Sequence, residues 1–411
     1  MVGAAIPEDV MEAVIKADPA PEIQTHKLSW AIIHGIESTG EVLDLLSTVA
    51  IKDYPKSDWL WSGYRKWDRG NGSDNRLIPF INILGLKQIT RFLGCFAMLV
   101  RWSVAHRGQK RHVILYGLIS AHLYAVRCVK WMLPIKATIL VTDLPGLAAS
   151  CEPWWKGRLR SIDRRMVYNA VHVADGLIVL AQQIAEHLSL KIPYIVMEGI
   201  VSGEAEKLLQ LTPQQSNKGE KFIVLYAGAL GRNYGIPMLL DAFSKLPAEN
   251  FQLWLFGRGD MYEEIRCRAQ QDSRIYLSEI VISTEELLQR TQQATVLINP
   301  RPTKEIFARY SFPSKILEYM AAGRPVISTR LLTIPEEYES YLIWLDQETP
   351  EGLADLLRQL REQPREQLDF LGRCGRDFVM EEKSIMKQGE RIAAFIKFVN
   401  SCGKDEQTFI N

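Results

Sequence analysis

The sequence contains no CxxC pair and no grouping of cysteine with histidine. Its six cysteines, Cys95, Cys128, Cys151, Cys267, Cys374 and Cys402, are scattered. That spread excludes a disulfide scaffold and a structural zinc site, and it fits a reducing, cytoplasmic setting. No DxD triplet occurs, and carboxylates and histidines nowhere stand at metal-ligand spacing, so neither a metal nor another cofactor is expected. No run of eighteen apolar residues is present to cross a bilayer, and no signal peptide opens the chain. The most apolar stretch, Phe92 to Val104, is interrupted by Arg101. Internal repeats and low-complexity tracts are missing as well.

What remains is the composition of an ordinary globular protein: 411 residues, 47% hydrophobic and 24% charged, long enough for two domains with substantial cores. The net charge of +1 hides an asymmetry. Residues 1–200 hold 23 Lys+Arg against 18 Asp+Glu, and residues 201–411 hold 26 against 30. Within 87–165 there are 14 basic residues and only Asp143, Glu152 and Asp163 opposing them. Several basics adjoin tryptophan, as in Arg101-Trp102, Lys130-Trp131 and the run Trp154, Trp155, Lys156, Arg158, Arg160. Basic residues gain about 1 kcal/mol each beside anionic lipid, and tryptophan favours the interface. The run therefore reads as a face for peripheral contact with an anionic membrane surface, on the cytoplasmic side. A solvated basic surface with core tryptophans is the plainer alternative. No nucleic-acid recognition motif accompanies the charge, so nucleic acid is not an expected partner.

Strand and helix patterns alternate nearly throughout, which implies parallel sheets. In the first half the pattern predicts strands over 112–116, 137–142, 176–180 and 194–197, with helices over 24–36, 87–106, 119–131 and 161–173. In the second half it predicts strands over 222–227, 252–256, 274–277, 295–298 and 325–328, with helices over 236–246, 261–270, 284–293 and 315–322. Residues 54–80 read as a long loop on the acceptor side, and a last helix covers 384–401. The polar segment 201–220 marks the boundary: domain one is 1–200 plus the last helix, domain two 201–383.

The most informative segment is 295–329. A buried strand ends at Asn299-Pro300, Pro313-Ser314 opens a helix, Gly323 closes it, and a second buried strand follows. Ser314 and Lys315 stand at the helix start with Glu318 one turn in. Such a start presents free N–H groups to a phosphate, and the carboxylate can accept from ribose hydroxyls. The stretch FPSKILEYMAAGRPVI resembles the donor-nucleotide segment of retaining glycosyltransferases of family 4, and the likeness runs over about 222–360. It is the PSK-x-x-EY subset of that family, similar to bacterial polysaccharide-assembly glycosyltransferases.

The resemblance implies an α/β protein of GT-B architecture, with two Rossmann-like domains facing across a cleft. It implies a donor site built from Gly228, Gly257, Gly259, Val281, Pro313, Ser314, Lys315 and Glu318, with Ile280 and Ile282 beside Val281 near the base. Two positions depart from the family. Ala229 and Tyr234 stand where an arginine and a lysine usually neutralise the diphosphate, so Arg232 is the candidate replacement. Tyr310 stands where the first glutamate of the family pair contacts the sugar; Lys304 and Arg309 share its loop. In the first domain Asp143 occupies the place of a histidine found beneath the sugar in many relatives. It orients a sugar hydroxyl or takes the acceptor proton, or else it is a turn residue before Leu144-Pro145-Gly146. His122 reads as a packed helix histidine, and Gly3 as a candidate for the first-domain glycine turn.

Lys315, Arg232, Glu318 and Asp143 are thus the candidate catalytic group. The expected activity is metal-independent transfer of a hexosyl group, with retention, from a UDP- or GDP-sugar to a saccharide or lipid-linked saccharide acceptor. Two other readings stand beside it: a catalytically weak binding partner within a polysaccharide-assembly complex, and a nucleotide-sugar epimerase.

Overall fold

In the computed structural model, residues 1–19, 21–146, 154–201, 221–278 and 283–401 are described. The chain divides into two compact units, Met1–Ile200 with the stretch from Ile385 onward, and Val201–Ser384.

The first unit is organised on eight strands. In chain order they are β1 (Val2–Gly3), β2 (Leu46–Ser47), β4 (Arg65–Trp67), β5 (Asn75–Leu77), β7 (His112–Tyr116), β8 (Lys136–Val141), β9 (Gly176–Val179) and β10 (Tyr194–Val196). β3 (Trp61–Ser62) and β6 (Phe80–Ile81) form a separate antiparallel pair. The sheet order is β10-β9-β8-β7-β1-β2-β5-β4, with every pairing parallel except β4 with β5. Two residues suffice for β1 because it lies in mid-sheet, hydrogen-bonded on both sides. Gly3 serves that packing: a Cβ there would lie 2.8 Å from Cβ of Tyr116 on β7. Its role is close strand contact, where the sequence suggested a phosphate turn.

Residues 54–80, expected as a loop, contain β3, β4 and β5, and β6 begins at Phe80. Strands of two or three residues carry no readable periodicity; tertiary pairing alone forms them. Helix Trp154–Ala170 begins seven residues before its predicted start and continues through Gly157. Helix Ile385–Ser401 lies against helix Ile23–Glu37, where Gly389 and Gly35 permit backbone approach: a Cβ on Gly389 would sit 1.9 Å from the Gly35 carbonyl oxygen. Lys136 Nζ donates to the Val399 carbonyl at 2.6 Å.

The second unit has one sheet of six strands: β11 (Phe222–Ala227), β12 (Phe251–Phe256), β13 (Ile275–Leu277), β14 (Val296–Asn299), β15 (Val326–Thr329) and β16 (Ile343–Leu345). All pairings are parallel and the order is β13-β12-β11-β14-β15-β16. Numbered within the unit this is 3-2-1-4-5-6, the doubly wound order. Strand order reverses between β11 and β14, so the crevice beyond their carboxyl ends is where such folds bind ligands. Buried Val224, Leu253, Leu255, Val296, Ile298 and Ile327 fill one face of the sheet against helices Ile236–Ser244 and Pro350–Glu362. Leu225, Leu297 and Val326 fill the other against Ile316, Leu317 and Met320 of helix Lys315–Ala321.

Candidate active site

At the carboxyl end of β11 the chain turns at Gly228, with φ of +151°. Lys315 reaches the same place: a Cβ on Gly228 would lie 1.0 Å from Lys315 Nζ and 2.2 Å from its Cε. The missing side chain therefore makes room for a lysine of this protein, where the sequence suggested room for a ligand. Lys315 Nζ lies 3.3 Å from the Tyr226 hydroxyl and 4.5 Å from the centre of its ring. Desolvation lowers the Lys315 pKa to about 8; Glu318 opposes that shift and the nearby Arg301 adds to it.

Tyr319, one turn of helix further, locks the strand end. Its hydroxyl accepts from the Ala227 N–H at 2.8 Å and donates to the Ala227 carbonyl at 3.0 Å. The turn after β12 closes against the turn after β11. Gly228 N–H donates to the Phe256 carbonyl at 2.7 Å and Leu230 N–H to the Arg258 carbonyl at 2.8 Å. A Cβ on Gly257 would lie 1.8 Å from the Gly228 oxygen, and one on Gly259 2.1 Å from the Leu230 oxygen. Gly228, Gly257 and Gly259 are thus brought together, held backbone to backbone.

Pro313 is buried and Ser314 exposed, immediately before helix Lys315–Ala321. Ser314 makes no side-chain capping bond, and the helix has only seven residues. Glu318 is on the exposed face of this helix, one turn after Ser314. Val281, with Ile280 and Ile282, lies outside the described residues.

Arg232, expected to replace the family's missing cations, is turned to another partner. Its guanidinium donates to Glu264 Oε2 at 2.7 Å and its side chain is 62% exposed. The residue that sequence reasoning overlooked is Arg301. It follows Asn299-Pro300 at the end of β14, the strand beside β11. Its guanidinium lies 5.5 Å from the Tyr234 ring and 5.2 Å from that of Phe307. One nitrogen donates to the Ser311 carbonyl at 3.1 Å. Desolvation lowers its pKa. Its signal in the sequence was positional: Arg301 opens the loop after β14 as Gly228 opens the loop after β11, at the two strands that flank the reversal of order. Tyr310, Lys304 and Arg309 lie on the same loop, the last in a 3-10 turn Ile306–Arg309.

In the first unit Asp143 follows β8. Its residue keeps solvent access, yet desolvation raises its pKa above the usual carboxylate range; a hydrogen bond from Thr142 opposes this and Glu22 adds to it. His122 is 1% exposed, with Nε2 3.5 Å from Thr48 Oγ1, and burial drives its pKa down to about 3. It is a neutral packed histidine, as the sequence suggested.

The basic, tryptophan-bearing stretch divides. Trp102 is tied inward by a 2.7 Å bond to Asp44, Lys130 is paired with Asp175 at 2.7 Å, and Lys87 and Arg91 are buried. Helix Trp154–Ala170 is different: Leu159, Ile162 and Met166 are 44%, 54% and 40% exposed, and Arg158 and Arg160 are exposed with them. The side chains of Trp154, Trp155 and Lys156 lie outside the described residues. Among the described residues no helix is long and apolar enough to cross a membrane, and no group of His, Cys, Asp or Glu is arranged to hold a metal ion.

Residues 221–363 match the family model described as "Glycosyl transferases group 1". The second unit is therefore a glycosyltransferase domain, and the chain an enzyme of that class. Solved structures carry the fold over nearly the full length. Sucrose-phosphate synthase from Thermosynechococcus elongatus is similar at a TM-score of 0.62 and 16% identity, over 97% of this chain and 98% of that one. An alpha,alpha-trehalose 6-phosphate synthase from Burkholderia multivorans is similar at 0.61 and 10%, again over 97% and 98%. Anabaena HepE, in complex with UDP-glucose, is similar at 0.50 and 14%, over 74% of this chain and 82% of that one. At these identities the likeness establishes the fold: two Rossmann-like units of the GT-B kind. Among curated proteins no match is found.

Proposed function

We propose that the protein is a retaining glycosyltransferase that needs no metal and moves a hexosyl group from a UDP- or GDP-sugar. The acceptor is a saccharide or lipid-linked saccharide of polysaccharide assembly. The observation that carries this reading is Lys315. A desolvated ammonium lies over a glycine turn at the sheet's switch point, and no carboxylate within 4 Å pairs with it among the described residues. A half-buried, desolvated cation with no carboxylate close enough to pair with it is costly, and a diphosphate supplies the missing close partner. A diphosphate leaving group gathers negative charge as the glycosidic bond breaks, so a preorganised cation beside it lowers the barrier.

Glu318 takes the ribose hydroxyls, one turn from Lys315. The main chain at Gly228, Gly257 and Gly259 borders the donor. Asp143, its pKa raised, stands on the acceptor side as proton acceptor or hydroxyl anchor. UDP is the favoured nucleotide, since HepE is a neighbour solved with UDP-glucose. Arg158 and Arg160 with the exposed apolar side chains of their helix support peripheral contact with an anionic membrane surface.

Calorimetric titration of UDP and GDP tests the reading. One nucleotide is expected to bind in the micromolar range and to lose about ten- to a hundred-fold in affinity in Glu318→Ala, the loss typical of hydrogen bonds to a charged group. Absence of binding by either nucleotide to the wild-type protein would overturn the donor site.

A further inference from the structure

We infer that Arg301 is the second cation of the diphosphate site, in place of the arginine and lysine that Ala229 and Tyr234 replace. The inference rests on the donor-site reading above and names the residue that completes it.

Three observations bear on it. First, position: β11 and β14 are adjacent and parallel, and strand order reverses between them, so the residues leaving their carboxyl ends border one crevice. Gly228 leaves β11 and Arg301 leaves β14. The two loops are in contact, because a Cβ on Gly235 would lie 1.8 Å from the Pro300 carbonyl oxygen. Arg301 also lies near enough to Lys315 to disfavour its charge.

Second, restraint. The rings of Tyr234 and Phe307, with centres 5.6 Å apart, touch each other and both lie beside the guanidinium, and the Ser311 carbonyl accepts one N–H. The Arg301 carbonyl accepts from the Thr329 hydroxyl at 2.5 Å, which fixes the backbone as well. Arginine has five N–H donors in a rigid fork. A side chain held this way has lost its rotamer freedom before any ligand arrives.

Third, the absence of a partner for its charge. Among the described residues no carboxylate lies within 4 Å of Arg301, whereas Arg232, Arg268, Arg274, Arg324 and Arg330 of the same unit all have one. The Arg301 Nε is buried without a hydrogen-bond partner. Two desolvated cations, Lys315 and Arg301, thus border one crevice, and among the described residues neither has a carboxylate within 4 Å, Glu318 acting on Lys315 only from further off. A pyrophosphate group carries the charge and the oxygen acceptors that both lack, and bidentate recognition by a planar fork is the geometry arginine offers a phosphate. Tyr234 then has a reason to stand where relatives place a cation: its ring supports the arginine that supplies the charge.

The test compares ligands that differ only in phosphate. UDP, UMP and uridine, with the guanosine series in parallel, are titrated against wild type, Arg301→Gln, Arg301→Lys and Arg232→Ala, each checked for thermal stability. Expected for Arg301→Gln is a loss of about ten- to a hundred-fold for the diphosphate and no change for the nucleoside, as for removal of a charged hydrogen-bond donor. Arg301→Lys retains the charge and should recover part of that loss, and Arg232→Ala should stay within about twofold, as exposed ion pairs contribute little. An equal loss for diphosphate and nucleoside would assign Arg301 to loop structure alone and overturn the inference. So would an unchanged diphosphate affinity in Arg301→Gln while the wild type binds. A wild type that binds no nucleoside diphosphate overturns the donor-site reading, and the inference with it.

Discussion

Lys315 Nζ occupies the volume that any side chain at Gly228 would fill, at 1.0 Å from the ideal Cβ position. The two residues are 87 positions apart in sequence, so each constrains the other through space alone. Gly228→Ala must displace the lysine and hold an alanine at φ of +151°, a strain of about 1–3 kcal/mol. Nucleotide binding is expected to fall as far as it does in Lys315→Ala, although residue 228 gains only a methyl group. The two substitutions should also be non-additive, since Lys315→Ala removes the obstruction: the double variant should be more stable than the sum of the singles by about 0.5–3 kcal/mol. Strict additivity in urea denaturation would show that the lysine moves aside freely.

The depressed pKa of Lys315 gives opposite pH trends to stability and binding. In the unfolded chain the amine titrates near 10.5, and in the folded unit near 8. Below about 8 both states are protonated and the folded state bears the full cost of the buried charge. Between about 8 and 10.5 the unfolded chain holds a proton that the folded one has lost, so this residue's contribution to stability rises with pH. On the proposed donor site UDP needs the ammonium, so its affinity should hold steady below pH 7 and weaken above about 8. Lys315→Met is expected to be more stable than wild type at pH 7 without ligand, and to lose both slopes. Thermal melts and titrations across pH 6.5 to 9.5 measure them, and parallel pH profiles for wild type and variant would assign the trends to other groups.

Tyr319 offers a cleaner probe of the strand end. Its hydroxyl serves both polar groups of Ala227, at 2.8 and 3.0 Å, in a place where the side chain is 3% exposed. Tyr319→Phe keeps the ring and removes both bonds. The expected cost is about 1–3 kcal/mol, the penalty for leaving buried backbone groups unsatisfied. Because Ala227 precedes the glycine turn, nucleotide affinity should fall too, by less than in Lys315→Met. A melting temperature unchanged from wild type would mean that β11 holds its end without the tyrosine.

Much of this architecture could be read from the residues, and the reason is periodicity. Strands such as Phe222–Ala227 and His112–Tyr116 are apolar runs bounded by turn residues, and both appear at their expected limits. Helix Lys315–Ala321 is bracketed by Pro313 and Gly323, which mark its ends as local chemistry does. Strands β1 to β6 were harder, since strands of two or three residues are made by their neighbours and not by their own pattern. Of the candidate site, the helix start at Lys315 could be picked out because a motif carries it, whereas Arg301 is in sequence one more charged loop residue between two prolines. Only the folded chain brings Tyr234, from the loop after β11, and Phe307, from further along its own loop, against it. Arg232 shows the converse: its place beside Gly231 suggested a phosphate ligand, and Glu264, 32 residues away, takes its charge.

Helix Trp154–Ala170 makes the case for a membrane face, and that case turns on geometry. Leu159, Ile162 and Met166 recur at three- and four-residue spacing, so they share one side of the helix, and all three are exposed. Arg158 and Arg165 fall next to that side on the helical wheel, and both are exposed. An exposed apolar stripe edged by arginines is the pattern of a helix that lies in a lipid interface. Each basic residue near an anionic surface contributes about 1 kcal/mol. Reversing Arg158 and Arg165 to glutamate should therefore lower co-sedimentation with phosphatidylglycerol-containing vesicles by more than about tenfold. The same charge change at Arg107 and Lys110, exposed elsewhere in the first unit, should cost much less. Ile162→Ser should weaken binding to these vesicles without altering its dependence on salt. Equal losses at the two arginine sites would make the attraction a property of overall charge, and the helix would then be a solvated surface like any other.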